Sequence, residues 1–256
     1  MNKLFILFTA IFFLTMRAGL QWLADKTMFQ NAAVADTTRF AVIELFTSEG
    51  CSSCPPADEL AARIGREFDQ EVYVLAFHVD YWNYLGWKDA FSQPAFTSRQ
   101  QKYGAHFKLN SIYTPQMIVN GKTELVGSNE SLLRKTLKKE LELSMTSVIH
   151  LSIDTIEKRN LTVAYKTERT ENEILHIALV QRQAVTNVQR GENAGRQLHH
   201  VNIVRELKSV LLHGPASGTI RLTIPDRLSS NEVAVIAFTQ DENSMAITGA
   251  GELAIK

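Results

Sequence analysis

The only two cysteines of this 256-residue chain stand two residues apart, in Glu49-Gly50-Cys51-Ser52-Ser53-Cys54-Pro55-Pro56. The apolar run from Phe40 to Phe46 reads as a strand, and Ala57 to Phe68 reads as a helix. The pair therefore requires a strand that delivers two sulfurs onto a helix N-terminus. Unpaired N–H groups and the positive end of the helix dipole favour a thiolate there, and the thiolate is the nucleophile. Cys51 lies at the mouth of the turn and is expected to be the exposed, attacking sulfur. Cys54 follows in the first helical turn and is expected to be the covered, resolving one. Glu49 should oppose the Cys51 thiolate only weakly, because solvent screens an exposed carboxylate. Zinc is a competing reading, but a structural site takes four Cys or His ligands. The chain has no second cysteine pair, and its seven histidines show no regular ligand spacing. A purely structural disulfide is the other alternative; closing so short a loop restrains the unfolded chain little.

The formal net charge is zero and no Lys/Arg block is present, so nucleic acid is not expected as a partner. No glycine-rich loop follows a strand, which removes the usual phosphate cradle. Lys3 precedes an apolar run from Leu4 to Met16, interrupted only by Thr9 and Thr15. The run suits a signal-peptide core and is short for a membrane span. Ala33-Val34-Ala35 offers a cleavage site, so residues 1–35 are expected to be a signal peptide. The long gap from Met16 to Ala35 keeps an uncleaved N-terminal anchor as the alternative, and only in that case is a membrane a partner. Either way the body is expected to be periplasmic or secreted, where a disulfide persists.

After the cysteine helix, Glu71 to Val79 is nearly continuously apolar and reads as a strand covered on both faces. The next stretch crowds Tyr81, Trp82, Tyr84 and Trp87 together, with Phe91, Phe96, Tyr103 and Phe107 following. These aromatics either close the core of an insertion or line a groove beside the cysteines. Pro94 can start a helix to about His106. Asn120-Gly121 lies between short apolar runs and predicts a hairpin of Gln116–Val119 with Thr123–Val126. Ser128 or Asn129 then caps a helix reaching about Leu143. From Ser147 the pattern becomes seven short apolar runs divided by turn residues, which reads as an antiparallel sandwich.

The order β-α-β-α-β-β-α, with Cys-x-x-Cys before the first helix and Thr114-Pro115 before the third strand, resembles the thioredoxin fold. That resemblance implies a cis Thr114–Pro115 peptide lying against the redox pair. Ser52-Ser53 between the cysteines and the insertion from Asp80 to Pro94 depart from thioredoxin itself. Four longer stretches resemble the signatures of a bacterial family of exported thioredoxin-like proteins known only as a domain of unknown function. They are Phe46–Asp58, His78–Asp89, Tyr113–Gly121 and Arg190–Arg196. The resemblance covers residues 38 to 256. The expected fold class is thus α/β: a thioredoxin-like domain over 38–145, followed by an all-β antiparallel sandwich over 147–256.

The expected function is exported thiol–disulfide oxidoreduction on protein or small-molecule disulfides, with a redox partner that recycles the pair. Cys51 attacks and Cys54 resolves, a chemistry that needs no cofactor. Pro115 supports the pair, and Thr114 offers backbone groups to an extended substrate. His78 and Asp80 share a strand face, and one of them is expected to accept a proton from or orient Cys54. Trp82 and Glu49 complete the candidate surroundings. Two other classes remain open: a copper carrier using both thiolates and His78, and a non-catalytic module whose sandwich recognises a protein or glycan. The loop from Val188 to His200 is read either as an exposed hairpin tip or as a roof folded back over the cysteines.

Overall fold

The computed structural model describes residues 39–255, apart from 145, 169–171 and 215; the expected leader, 1–35, lies outside the described residues. The first elements are β1 (Ala41–Thr47), α1 (Pro55–Glu67), β2 (Val72–His78), α2 (Pro94–His106), β3 (Gln116–Val119), β4 (Thr123–Val126) and α3 (Glu130–Glu140). Their causes are local. Pro55 and Pro94 open α1 and α2, where a missing N–H costs nothing. Asn129 caps α3, its Oδ1 accepting the Leu132 N–H at 3.1 Å. Asn120 and Gly121 both take left-handed conformations, φ 48° and 66°, as a two-residue hairpin of this hand requires. The Thr114–Pro115 peptide is cis, as the resemblance implied.

Seven strands follow: β5 (Ile149–Glu157), β6 (Asn160–Thr167), β7 (Glu173–Asn187), β8 (Gln197–Leu212), β9 (Ala216–Thr223), β10 (Val233–Asp241) and β11 (Ile247–Ala254). They do not form a sandwich of their own, and the first half is not a separate thioredoxin-like α/β unit. The expected fold class is corrected on this point. Eight strands form one mixed sheet, ordered β11-β10-β7-β8-β2-β1-β3-β4, while β5, β6 and β9 form a small second sheet. The seam is the parallel pairing of β2 with β8, through Ala76 and Ile203.

Side-chain alternation explains why the two halves join. Val42 and Phe46 of β1, Tyr73 and Phe77 of β2, Val180 of β7, and Ile236 and Phe238 of β10 share one core, with Phe96 and Tyr103 of α2 packed into it. On the opposite face, α1 and α3 cover Ile43, Leu45, Val74 and Met117. Further along that face the three-stranded sheet covers Ile177, Leu179, Val233 and Val235. Strands β7 and β10 are therefore buried on both sides and occupy central positions. A two-layer sandwich with one solvated face on each sheet would expose half of their apolar residues. An ion pair crosses the shared core: Arg99 of α2 donates through Nη2 to Glu44 Oε1 of β1 at 2.9 Å and to Gln240 Oε1 of β10 at 3.2 Å.

Candidate functional site

Strand β1 ends at Thr47, and the chain turns through Ser48 to Ser53 onto α1. The Cys51 N–H donates to Ser48 O at 3.1 Å and the Cys54 N–H to Cys51 O at 3.2 Å, which winds the turn tightly. Cys51 and Cys54 form a disulfide, their Cα atoms 5.4 Å apart. Both cysteines are fully buried, so the expected contrast of an exposed Cys51 and a covered Cys54 does not hold.

Two segments cover them. The first is the aromatic insertion between β2 and α2. Trp82 lies against Gly50: a Cβ there would meet Trp82 Cβ at 2.9 Å and the Trp82 carbonyl oxygen at 3.3 Å, so glycine is what lets this segment approach the cysteine turn. Trp82 Nε1 donates to Thr114 Oγ1 at 2.8 Å and Trp87 Nε1 donates to Glu49 Oε2 at 2.7 Å. The Thr114 side chain and Trp82 are thus bound into one wall, while Tyr84 is exposed. The second segment is the loop between β7 and β8. Asn193, itself fully buried, donates through Nδ2 to both Glu49 O and Cys51 O at 2.9 Å. The Ser52 N–H donates to Glu192 Oε2 at 3.1 Å, and the Ser52 side chain, with this N–H second to it, holds that carboxyl below its usual range. Arg196 Nη1 donates to Asn193 Oδ1 at 3.2 Å. Of the two readings of this loop, the structure has the roof.

Asn193→Ala removes both carbonyl contacts and should expose the disulfide. Its reduction by dithiothreitol, followed by thiol labelling, is expected to accelerate by about tenfold or more, the equivalent of losing one to two hydrogen bonds' worth of closure. An unchanged rate would mean that the loop does not limit access.

Beneath the roof, ionisable side chains converge. His78 Nδ1 and Asp89 Oδ2 are 2.7 Å apart, and the same Oδ2 accepts the Glu49 N–H at 2.9 Å. Burial would raise the Asp89 carboxyl, but His78 and the backbone N–H groups of Glu49 and Phe91 outweigh it and hold it low. Glu49 is fully buried, which corrects the expectation that solvent screens it. Its Oε1 lies 3.6 Å from His200 Nε2, and the His78 and His200 rings are 5.0 Å apart in an edge-to-face arrangement. Glu49 Oε1, His78 Nε2 and both ring nitrogens of His200 have no hydrogen-bond partner. Asp58, one helical turn after Cys54, accepts from Thr47 Oγ1 at 3.2 Å. Burial pushes its carboxyl up to about 7, against the lowering effects of His200 and Thr47.

The structure therefore gathers Cys51, Cys54, Glu49, His78, Trp82 and Thr114, with Pro115 cis beside Thr114. It does not bring Asp80 into the group: Thr97 Oγ1 of α2 donates to Asp80 Oδ1 at 2.6 Å. Asp89, not Asp80, is the carboxylate partner of His78. Asp58, Asp89, Asn193 and His200 were missed as individual site residues. One signal was available for His200: in β8, Leu198 and His200 point inward while His199 is exposed, so a histidine occupies a core register.

Beside this cluster, a cleft of about 720 Å³ opens between α1 and the outer ends of β7 and β8, with Pro55, Asp58 and His200 in its lining. Among the described residues, no three His, Cys, Asp or Glu side chains are disposed to hold a metal ion.

Residues 42–240, which hold the cysteine turn, the cis proline, the roof loop and His200, match the family described as "Protein of unknown function (DUF1223)". Among solved structures, protein AGR_C_4864 from Agrobacterium tumefaciens is similar at a TM-score of 0.66 and 26% identity, covering 83% of this chain and 93% of that one. A domain of the outer membrane lipoprotein Omp28 from Porphyromonas gingivalis matches at a TM-score of 0.27 and 10% identity, covering 44% of this chain and 89% of that one. A β-glucuronidase from Bacteroides uniformis matches at 0.20 and 6%, covering 42% of this chain and 13% of that one. The last two are too remote to carry an argument. No curated protein matches the chain.

Proposed function

We propose that this chain, which belongs to the DUF1223 family, is an exported thiol–disulfide oxidoreductase. The observation that carries the reading is the Cys51–Cys54 disulfide at the start of α1, set against a buried cluster of titratable side chains. A disulfide that closes so short a loop adds little stability, so its worth lies in its chemistry. Buried carboxyl and imidazole groups are costly to retain, and such groups concentrate where protons move. Residues 1–35 serve as the export signal, and an oxidising compartment keeps the pair oxidised between turnovers.

A partner thiolate attacks Cys51 Sγ, a new S–S bond forms, and the old bond breaks with its electron pair on Cys54 Sγ. The Cys54 thiolate takes up a proton. A second partner thiolate then attacks the mixed disulfide, leaving the partner oxidised and the pair reduced; the reverse sequence oxidises a partner dithiol. Cys51 is the attacked sulfur because displacing the roof loop, which is bonded to the Cys51 carbonyl, uncovers it, whereas Cys54 sits at the helix N-cap against α1. The cis Thr114–Pro115 peptide borders this turn through Trp82.

Trapping tests the assignment. Cys54→Ser should accumulate mixed disulfides through Cys51, visible by non-reducing electrophoresis and mass spectrometry, and Cys51→Ser should accumulate none. Trapping that depends on Cys54 would reverse the roles. No trapping by either variant, with no wild-type exchange on a model disulfide, would end the oxidoreductase reading.

A further inference from the structure

The cleft beside the disulfide carries more chemistry than the exchange reaction uses. Its walls are α1 on one side and the ribbon of β7 and β8 beyond their seam with β2 on the other. Its volume, about 720 Å³, is that of a site for a molecule of a few hundred daltons. Three guanidinium groups line it. Arg63 is engaged by Glu130 at 2.8 Å, whereas among the described residues no carboxylate pairs with Arg66, and the Arg196 guanidinium donates to the amide oxygen of Asn193 at 3.2 Å. Glu59 is the one exposed carboxylate on the walls, since Asp58 is buried in the floor. The floor also presents His200, nine-tenths buried or more, with neither ring nitrogen hydrogen-bonded. His200 Nε2 faces Glu49 Oε1 at 3.6 Å, beyond hydrogen-bond reach, so a polar ligand group can still satisfy the ring.

We propose that this cleft binds a low-molecular-weight thiol that carries carboxylates, and its disulfide, as the exchange partner of the Cys51–Cys54 pair. The proposal rests on the redox reading above. Arg66 and Arg196 take the carboxylates, since guanidinium forks match carboxylate geometry. His200 and Asp58 take an amide or amine of the ligand at the floor. Pro55, which follows Cys54 directly, is in the cleft's lining, so the cleft begins one residue from the redox pair. Arg196 also couples binding to access. A carboxylate on its guanidinium competes with Asn193 Oδ1, and Asn193 is the residue that pins the carbonyls of Glu49 and Cys51 beneath the roof. Transfer then balances as ordinary exchange: the small disulfide is reduced to two thiols while the Cys51 and Cys54 thiols close to a disulfide, or the reverse.

Oxidised glutathione and neutral 2-hydroxyethyl disulfide are the kinetic probes, and S-methylglutathione, which cannot exchange, is the binding probe. Full-length protein, Arg66→Glu and Arg66→Glu/Arg196→Glu are compared. Wild type should prefer oxidised glutathione over the neutral disulfide in kcat/KM by about tenfold or more, the effect of one good charged contact. Each reversal should erase that preference and weaken S-methylglutathione binding by a similar factor in calorimetry. Exchange with both disulfides at ratios that ignore the arginines would overturn the cleft assignment and leave the redox reading intact. Arginine-dependent binding of S-methylglutathione without any exchange would remove the redox reading and with it the role of exchange partner.

Discussion

Glu44→Ala should destabilise the fold by about 3–5 kcal/mol, the cost of stranding one partner of a buried ion pair. Arg99 stays charged in the native state: burial opposes its cationic form, but Glu44 outweighs this and raises its affinity for the proton. Removing Glu44 leaves that charge, among the described residues, with the oxygens of Tyr103 and Gln240 as acceptors and the rings of Phe77 and Phe238 about it. Because Gln240 and Phe238 belong to β10 and Glu44 to β1, the loss should appear as one transition shifted as a whole. Urea denaturation followed by both tryptophan fluorescence and far-ultraviolet circular dichroism reads this directly. A loss below about 1 kcal/mol would place the pair among weakly contributing contacts.

Asp58→Asn should stabilise the protein, and the gain should depend on pH. The folded-state carboxyl titrates near 7, raised chiefly by burial, whereas an unfolded aspartate titrates near 3.9. Below about pH 4 both states are protonated, so Asp58 costs nothing. Between about pH 4 and 7 the unfolded state loses its proton and the folded state keeps it, so unfolding becomes easier as pH rises. Above about 7 both are ionised and the penalty is complete, on the order of 3–4 kcal/mol for a shift of this size. Asparagine can still accept from Thr47 Oγ1 and does not ionise. The variant should therefore match wild type at pH 4 and exceed it most at pH 8. A pH-independent difference, or a loss at pH 8, would contradict the raised carboxyl.

The local elements were legible because each has a local cause. Cys-Pro-Pro starts α1, Asn-Gly closes the β3–β4 hairpin, and Asn129 caps α3. The cysteine turn and its cis proline were legible as motifs. Partner choice between distant strands was not, because period-2 alternation says which faces are buried and nothing about which edge meets which. One clue to the larger sheet was present. Leu175 to Val180 and Val233 to Phe238 are nearly continuously apolar, the mark of strands covered on both faces, and a strand of a solvated sandwich sheet would alternate with polar residues. The buried partners of the site were opaque for a related reason. Asp58, Asp89, Asn193 and His200 come from α1, the insertion, the β7–β8 loop and β8, and only the seam brings them to one place. Reading Glu49 as exposed followed from its position in a turn, where a polar side chain normally meets water; Trp87 and His200 exclude that water.

The seam between β2 and β8 also orders events in time. Until β8 docks, the outer edge of β2 has no ladder partner. The aromatic face of Tyr73 and Phe77 likewise waits for β7 and β10 to cover it. Pairing between residues 76 and 203 closes a very long loop, and topologies dominated by such distant contacts fold slowly. An unpaired edge beside an uncovered apolar face is a template for another chain. A fragment ending after α3 is therefore expected to be half a sheet that self-associates.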